Sequence, residues 1–210
     1  MLHRRVPQMN IARLLYPVRV LGPGNRMGIW FAGCTHGCRG CSNPELWQMQ
    51  KKYETTAEHI LEIVRSVAAS SPIDGFTITG GDPFLQKDAL RILLPKLAEI
   101  SEDILVYTGF DYEEINTGEN RDILDFITVL IDGKYIEERN NNCFLRGSDN
   151  QRIHILQKNR EKFYLNYLSS GRNQIQNFRT SDGFISVGIH NPDYSRELHE
   201  RLLKKGIIRV

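Results

Sequence analysis

The chain has 210 residues, 40% of them hydrophobic and 25% charged, and its 27 basic and 25 acidic side chains leave a formal charge of +2. That length and apolar content supply the core of one domain and exclude an intrinsically disordered chain, while the near-neutral balance lacks the basic face of a bulk nucleic-acid or anionic-membrane binder. Four cysteines are too few to staple a chain of this size, yet three of them, Cys34, Cys38 and Cys41, fall within eight residues.

The first ten residues carry basic side chains but no apolar run and no small-residue cleavage site, so they do not read as a secretory signal. No apolar stretch approaches the roughly 18 residues of a membrane span. The expectation is a cytoplasmic protein with neither membrane nor nucleic acid as partner. In a reducing compartment, closely spaced cysteines point to metal ligands or redox groups.

The glycines of Leu21-Gly-Pro-Gly-Asn-Arg26 have neither G-x-G-x-x-G nor Walker spacing, and they read as a turn into a first strand at residues 28–31. Trp30 and Phe31 are expected in the core beneath the cysteines. A helix is expected at 55–69, opened by the capping-box pattern Thr55-Thr-Ala-Glu58. A strand at 75–79 and a helix at 87–100 follow, the latter with Leu90, Leu93, Leu94 and Leu97 on one face and with Pro95 expected to kink it or shift its start. Further strands are expected at 104–107, 126–131 and 184–189, with a weaker one at 152–156. The charged stretch 137–146 reads as a surface loop, and a last helix at 194–205 ends at Gly206. Strands alternating with helices predict an α/β fold with a mainly parallel sheet. Six strands are fewer than a closed eight-stranded barrel needs, which favours an open, partial barrel or doubly wound sheet in a single domain over 1–210.

The segment Gly33-Cys-Thr-His-Gly-Cys-Arg-Gly-Cys41 is C-x3-C-x2-C directly after a strand, with glycine before each cysteine. Thiolates suit zinc or iron–sulfur centres, and three at this spacing can hold three corners of a 4Fe-4S cluster while leaving one iron open. The alternative is a zinc site completed by His36 or the distant Cys143, although structural zinc sites usually come as two paired half-sites and no second pair exists here. Cys143 reads as a small buried residue or a free thiol.

This motif resembles the signature of the radical S-adenosylmethionine superfamily. Gly40 stands where that superfamily often has an aromatic residue, and Cys-x-His-x-Cys-x-Gly-Cys followed by Asn43-Pro-Glu45 is similar to the activating proteins of anaerobic ribonucleotide reductases. The resemblance covers roughly residues 10–157 and fades over 159–210. It implies a partial (β/α)6-type barrel whose cluster loop, 33–43, holds a 4Fe-4S cluster on Cys34, Cys38 and Cys41. It also implies that the methionyl part of S-adenosyl-L-methionine chelates the open iron and that the cofactor is cleaved to a 5′-deoxyadenosyl radical. Thr79-Gly-Gly-Asp-Pro83 matches the family's Gly-Gly-Glu-Pro element, which places Thr79, Gly80, Gly81 and Asp82 at the methionyl ammonium. Thr108, Asp132 and Lys134 follow later strands where related enzymes contact the cofactor: Asp132 would accept hydrogen bonds from ammonium or ribose, and Lys134 would neutralise the carboxylate.

The implied reaction generates a glycyl radical on a partner such as an anaerobic ribonucleotide reductase, with a flavodoxin or ferredoxin-type electron donor. Modification of a peptide or small metabolite, and a noncatalytic metal-binding interaction domain, are the alternatives. Two stretches stay outside these assignments: Leu145–Arg152 as a polar turn, and His190-Asn-Pro192 as a cap on the cofactor or a structural loop start.

Overall fold

A computed structural model describes residues 8–181 and 183–206, so the basic start of the chain lies outside the described residues up to residue 7. The chain opens with β1 (Met9–Val18) and turns into β2 (Arg26–Phe31), which pairs with it antiparallel. The cysteine loop then leads to the two-residue β3 (Glu54–Thr55), which pairs with the start of β1. Next come α1 (Ala57–Ser70), β4 (Gly75–Gly80), α2 (Lys87–Ala98), β5 (Ile104–Tyr107), the short α3 (Tyr112–Ile115) and α4 (Arg121–Leu124), and β6 (Val129–Asp132). After a long loop come β7 (Arg152–Ile155), α5 (Glu161–Ser170), β8 (Ile175–Arg179), β9 (Phe184–Gly188) and α6 (Tyr194–Lys204).

Among the described residues, seven strands form one open sheet in the order β3-β1-β2-β4-β5-β6-β7, with β8 and β9 a separate antiparallel pair. Only the inner four, β2, β4, β5 and β6, run parallel. The α/β class is therefore observed, but the sheet is mixed. β7 runs antiparallel to β6 because residues 133–151 come back from the carboxyl edge with no crossover helix to return the chain to the opposite edge. The expected strand near 184–189 forms as β9 yet joins β8 instead of the main sheet.

Side chains of the parallel strands alternate between two covered faces. Met27, Ile29, Phe31, Phe76, Ile78, Ile104, Val106 and Leu130 pack with the apolar sides of α1, α2 and α4 in the larger core. On the opposite face, Trp30 meets Val187 of the hairpin, and Leu105, Val129 and Ile131 meet Tyr164 of α5. Both faces are buried, which explains why these strands read as short continuous apolar runs.

The start of α1 differs from expectation. Thr56, not Thr55, caps α1, its hydroxyl accepting from His59 N–H at 3.3 Å, because Thr55 is held in β3. Pro95 sits inside α2. An interior proline costs about 3 kcal/mol, and burying Leu90, Leu93, Leu94 and Leu97 at roughly 1.5–3 kcal/mol each outweighs it.

Candidate metal centre and cofactor pocket

The parallel register brings the motifs together. Phe31 pairs with Gly80, Ile78 with Val106, and Tyr107 with Ile131, so the segments after β2, β4, β5 and β6 leave the same edge of the sheet. The loops at the carboxyl edge of such a sheet are where ligands bind. A cavity of about 530 Å³ opens there, lined by Cys34, Cys38 and Cys41 together with Thr79, Gly80, Gly81, Trp30, Tyr107 and Thr108.

Backbone hydrogen bonds stitch the entry of the cysteine loop to the floor of this cavity. Gly33 N–H donates to Leu46 O and Cys34 N–H to Trp47 O, both at 2.8 Å, while Gly81 N–H donates to Phe31 O and Asp82 N–H to Gly33 O, both at 2.7 Å. The approach requires glycine: a Cβ on Gly81 would lie 2.3 Å from Gly33 O, and one on Gly80 2.3 Å from Phe31 O.

All three cysteines are free, half-buried thiols. Burial pushes the Cys34 and Cys38 thiols above their ordinary range, against lowering by nearby backbone N–H groups. Among the described residues, no three His, Cys, Asp or Glu side chains are gathered closely enough to hold a single metal ion. The three thiols instead border one cavity, an arrangement that fits ligands to different irons of one cluster better than a tight tetrahedral zinc site. Cys143 Sγ lies against Asn141 Oδ1 at 2.7 Å, and Cys143 does not line the cavity.

Three of the expected cofactor contacts lie elsewhere. The Asp82 carboxylate is fully buried and satisfied within the protein, accepting from His36 Nε2–H at 2.6 Å, Thr108 Oγ1 at 2.9 Å, Gly109 N–H at 2.9 Å and Phe84 N–H at 3.0 Å. Asp132 is also fully buried, with Arg152 Nη2 at 2.5 Å, Tyr112 N–H at 2.7 Å and His154 Nε2 at 3.1 Å. Burial pushes its carboxyl up, but these donors outweigh burial and hold it below the usual carboxylate range. Lys134 is exposed to solvent. None of the three lines the cavity, whereas Thr79, Gly80, Gly81 and Thr108 do.

Other residues complete the walls. Gln151 braces the loop after β6: its Oε1 accepts from Gly147 N–H at 2.8 Å and Ser148 N–H at 3.3 Å, and its Nε2 donates to Gly133 O at 2.8 Å. Within the polar stretch Leu145–Arg152, Gly147 and Gln151 line the cavity, as do Tyr135, Glu137 and Asn140 of the loop that Gln151 braces. The opposite wall is the end of β9 and the start of α6, from Ser186 to Asn191 and Tyr194. Ser186 Oγ lies 3.2 Å from His190 Nε2 and 2.6 Å from the Tyr194 hydroxyl, and the His190 and Tyr194 rings stack at 4.2 Å. Burial pushes the His190 imidazole below its ordinary range. Gln176 fastens this hairpin to the sheet, donating to Pro17 O at 2.7 Å and accepting from Arg19 N–H at 2.9 Å. The chemistry-bearing motifs did not point to this wall, and its one sequence signal was His190-Asn-Pro192 after an apolar run.

Among the described residues, the cavity lining contains one carboxylate, Glu137, and no lysine or arginine. No described helix is long and apolar enough to cross a membrane.

Comparison with known proteins agrees with the cysteine loop. The 4Fe-4S single cluster domain family matches residues 20–154. The anaerobic ribonucleoside-triphosphate reductase-activating protein of Escherichia coli (strain K12) is 32% identical over 148 residues, covering 67% of this chain and 96% of that protein. Its namesake from Enterobacteria phage T4 is 35% identical over 150 residues, covering 69% and 93%, and that of Haemophilus influenzae is 34% identical over 149 residues, covering 66% and 94%.

Proposed function

The chain belongs to the 4Fe-4S single cluster domain family, in the branch of the anaerobic ribonucleoside-triphosphate reductase-activating proteins, and from that premise we propose that it generates a glycyl radical on an anaerobic ribonucleotide reductase. Cys34, Cys38 and Cys41 would hold the 4Fe-4S cluster, and Thr79, Gly80, Gly81 and Thr108 would take S-adenosyl-L-methionine beside it. Bound there, the cluster would supply one electron for cleavage of the cofactor's sulfonium into methionine and a 5′-deoxyadenosyl radical. The chain's own residues bind and orient. The flat Gly80-Gly81 backbone would let a ligand come close to the cysteine loop, with Trp30, Tyr107 and the hairpin wall lining the space around it. The chemistry supplied would be removal of one hydrogen atom from a glycine Cα of the partner, the hydrogen going to the 5′ carbon to give 5′-deoxyadenosine and the unpaired electron remaining on that Cα. A flavodoxin or ferredoxin-type protein in the cytoplasm is the electron source in this reading.

The observation that carries the proposal is the convergence of three thiols and the Gly80-Gly81 turn on one cavity that has no cationic side chain among the described residues. A small substrate bearing phosphate or several carboxylates would need lysine or arginine to neutralise it. An uncharged, glycine-bearing backbone segment does not.

Anaerobic cluster reconstitution followed by a 5′-deoxyadenosine assay, with and without a reductase partner, tests this reading. The expected result is a brown protein with roughly four irons per chain that forms 5′-deoxyadenosine and leaves a radical on the partner. A colourless protein holding zinc refutes it.

A further inference from the structure

We propose that His36 is a positioning residue that locks the middle of the cysteine loop onto the floor of the cofactor pocket through Asp82, so that the Cys-x-His-x-Cys and Gly-Gly-Asp-Pro motifs form two halves of one clamp. The inference rests on the reading of Cys34, Cys38 and Cys41 as cluster ligands. His36 lies between the first two of them, and its side chain is 7% exposed. Its Nε2–H donates to Asp82 Oδ2 at 2.6 Å. Its ring stands edge-on to Phe110, with centroids 4.7 Å apart, and lies on Gly109, where a Cβ would come within 2.4 Å of His36 Cδ2. The loop after β5 is thus shaped to receive this imidazole.

Besides this contact, the loop is held from outside by the Tyr135 backbone N–H at the Cys38 thiol and otherwise by bonds of the loop to its own ends. The backbone bonds that fix its entry end at Cys34, and Cys41 N–H donates within the loop to Cys38 O at 3.2 Å. Arg39 reaches Glu137 at 2.9 Å and Glu138 at 3.3 Å, but its side chain is 82% exposed, and surface pairs of this kind contribute little. Asp82, by contrast, is an immobile anchor, because its carboxylate also accepts from Thr108, Gly109 and Phe84. A glutamate at this position would extend the carboxylate by about 1.5 Å, one C–C bond, into the space that His36 and Thr108 occupy. The shorter acid is the one that fits a histidine in the loop.

The clamp also joins the two ligand subsites. Asp82 follows Gly80 and Gly81 directly, and its N–H donates to Gly33 O at the root of the cysteine loop. Losing the clamp disorders the thiolates first and weakens the neighbouring pocket second. A side chain that holds a ligand-bearing loop in register acts as an outer-shell group does in other metal sites.

The test compares His36→Ala, His36→Gln, Asp82→Asn and the double variant His36→Gln/Asp82→Asn, each reconstituted anaerobically beside the wild type. Iron per chain after desalting, the electron paramagnetic resonance spectrum of the reduced cluster and the melting temperature of the metal-free protein are measured. His36→Ala is expected to fold, to keep less than about half the wild-type iron and to show a broadened, heterogeneous spectrum. For its loaded fraction, KM for S-adenosyl-L-methionine is expected to rise roughly tenfold, the size of a lost hydrogen bond to a buried charged group, with kcat near wild type. His36→Gln, whose amide N–H also reaches toward Asp82, is expected to recover much of the iron. The double variant is expected to do no worse than the poorer of its two singles.

Wild-type occupancy and spectrum in His36→Ala overturn the proposal, as do strictly additive losses in the double variant. If His36→Ala does not fold, the Gln and Asn variants, which preserve side-chain size, carry the same comparison. A wild-type chain that takes up no iron refutes the cluster reading itself and this inference with it.

Discussion

Tyr164→Phe removes one hydroxyl from the buried network that ties α5 to the sheet. Arg26 is fully buried and makes five hydrogen bonds: Nε to Thr77 Oγ1 at 2.8 Å, Nη1 to Pro23 O at 3.2 Å, and Nη2 to Phe76 O at 2.6 Å, Asp103 O at 3.0 Å and Asp103 Oδ1 at 3.1 Å. The Tyr164 hydroxyl donates to the same Asp103 oxygen, and burial pushes the phenol's pKa up so that it stays a donor. Tyr164→Phe therefore deletes one hydrogen bond to a charged acceptor that keeps its arginine, a loss of about 1.5–3 kcal/mol. Arg26→Met leaves the Asp103 carboxylate buried without its cation and costs about 3–5 kcal/mol, a large share of the roughly 5–15 kcal/mol that stabilises a typical domain. In urea, with a slope of about 2 kcal/mol/M, Tyr164→Phe should lower the unfolding midpoint by about 1 M with the slope unchanged. A shift below about 0.3 M, or a Tyr164→Phe/Arg26→Met double variant whose loss equals the sum of the singles, would show that the network does not act as a unit.

Three further outcomes follow from the geometry. Gly81→Ala places a Cβ 2.3 Å from Gly33 O and 2.8 Å from Leu46 O, two backbone atoms that cannot step aside cheaply, so iron uptake should fall sharply while the metal-free protein loses only about 1–3 kcal/mol; unchanged iron content contradicts this. Asp132 has a carboxyl pKa held below the usual range, so its stabilising share is present above pH ~4 and drains away as pH falls through the depressed value. Asp132→Asn should therefore lower stability at pH 7 and flatten the acid limb below pH ~4, measured by chemical denaturation across pH. Finally, Cys143→Ser should leave iron content unchanged, whereas Ser at Cys34, Cys38 or Cys41 should abolish it, as read by iron analysis after reconstitution.

Much of the framework was legible in the sequence because short β-branched runs between amphipathic segments leave few alternatives. β4, β5 and β6 formed with ends within three residues of expectation, and their parallel register explains why the motifs at Cys34, Gly80 and Thr108 share one edge. β1 was not legible because its burial is mixed along its length and Pro17 interrupts the pattern. The direction of β7 depended on the absence of a crossover helix in residues 133–151, a fact of connectivity that strand propensity does not carry. α5 hides its period behind aromatics, since Tyr164 and Tyr167 face inward beside the exposed Phe163 and Leu165. Residue type and spacing singled out the cysteines and the Gly-Gly turn, which the structure gathers on one cavity. They did not tell that Asp82 and Asp132 stay off the cavity lining, because most of the partners that hold these carboxylates lie 20 or more residues away in the chain. The hairpin wall was illegible for a related reason: Val187 and Ser186 acquire their role only by packing over Trp30 and the cavity.

The most direct test of the account is isotopic. A reductase partner whose glycines carry deuterium at Cα is incubated anaerobically with the reconstituted, reduced protein and S-adenosyl-L-methionine. Both the 5′-deoxyadenosine and the partner's electron paramagnetic resonance spectrum are then examined. One deuterium is expected in the 5′ methyl group, together with a protein radical whose splitting changes from that of the unlabelled partner. Unlabelled 5′-deoxyadenosine formed without any partner radical would contradict it.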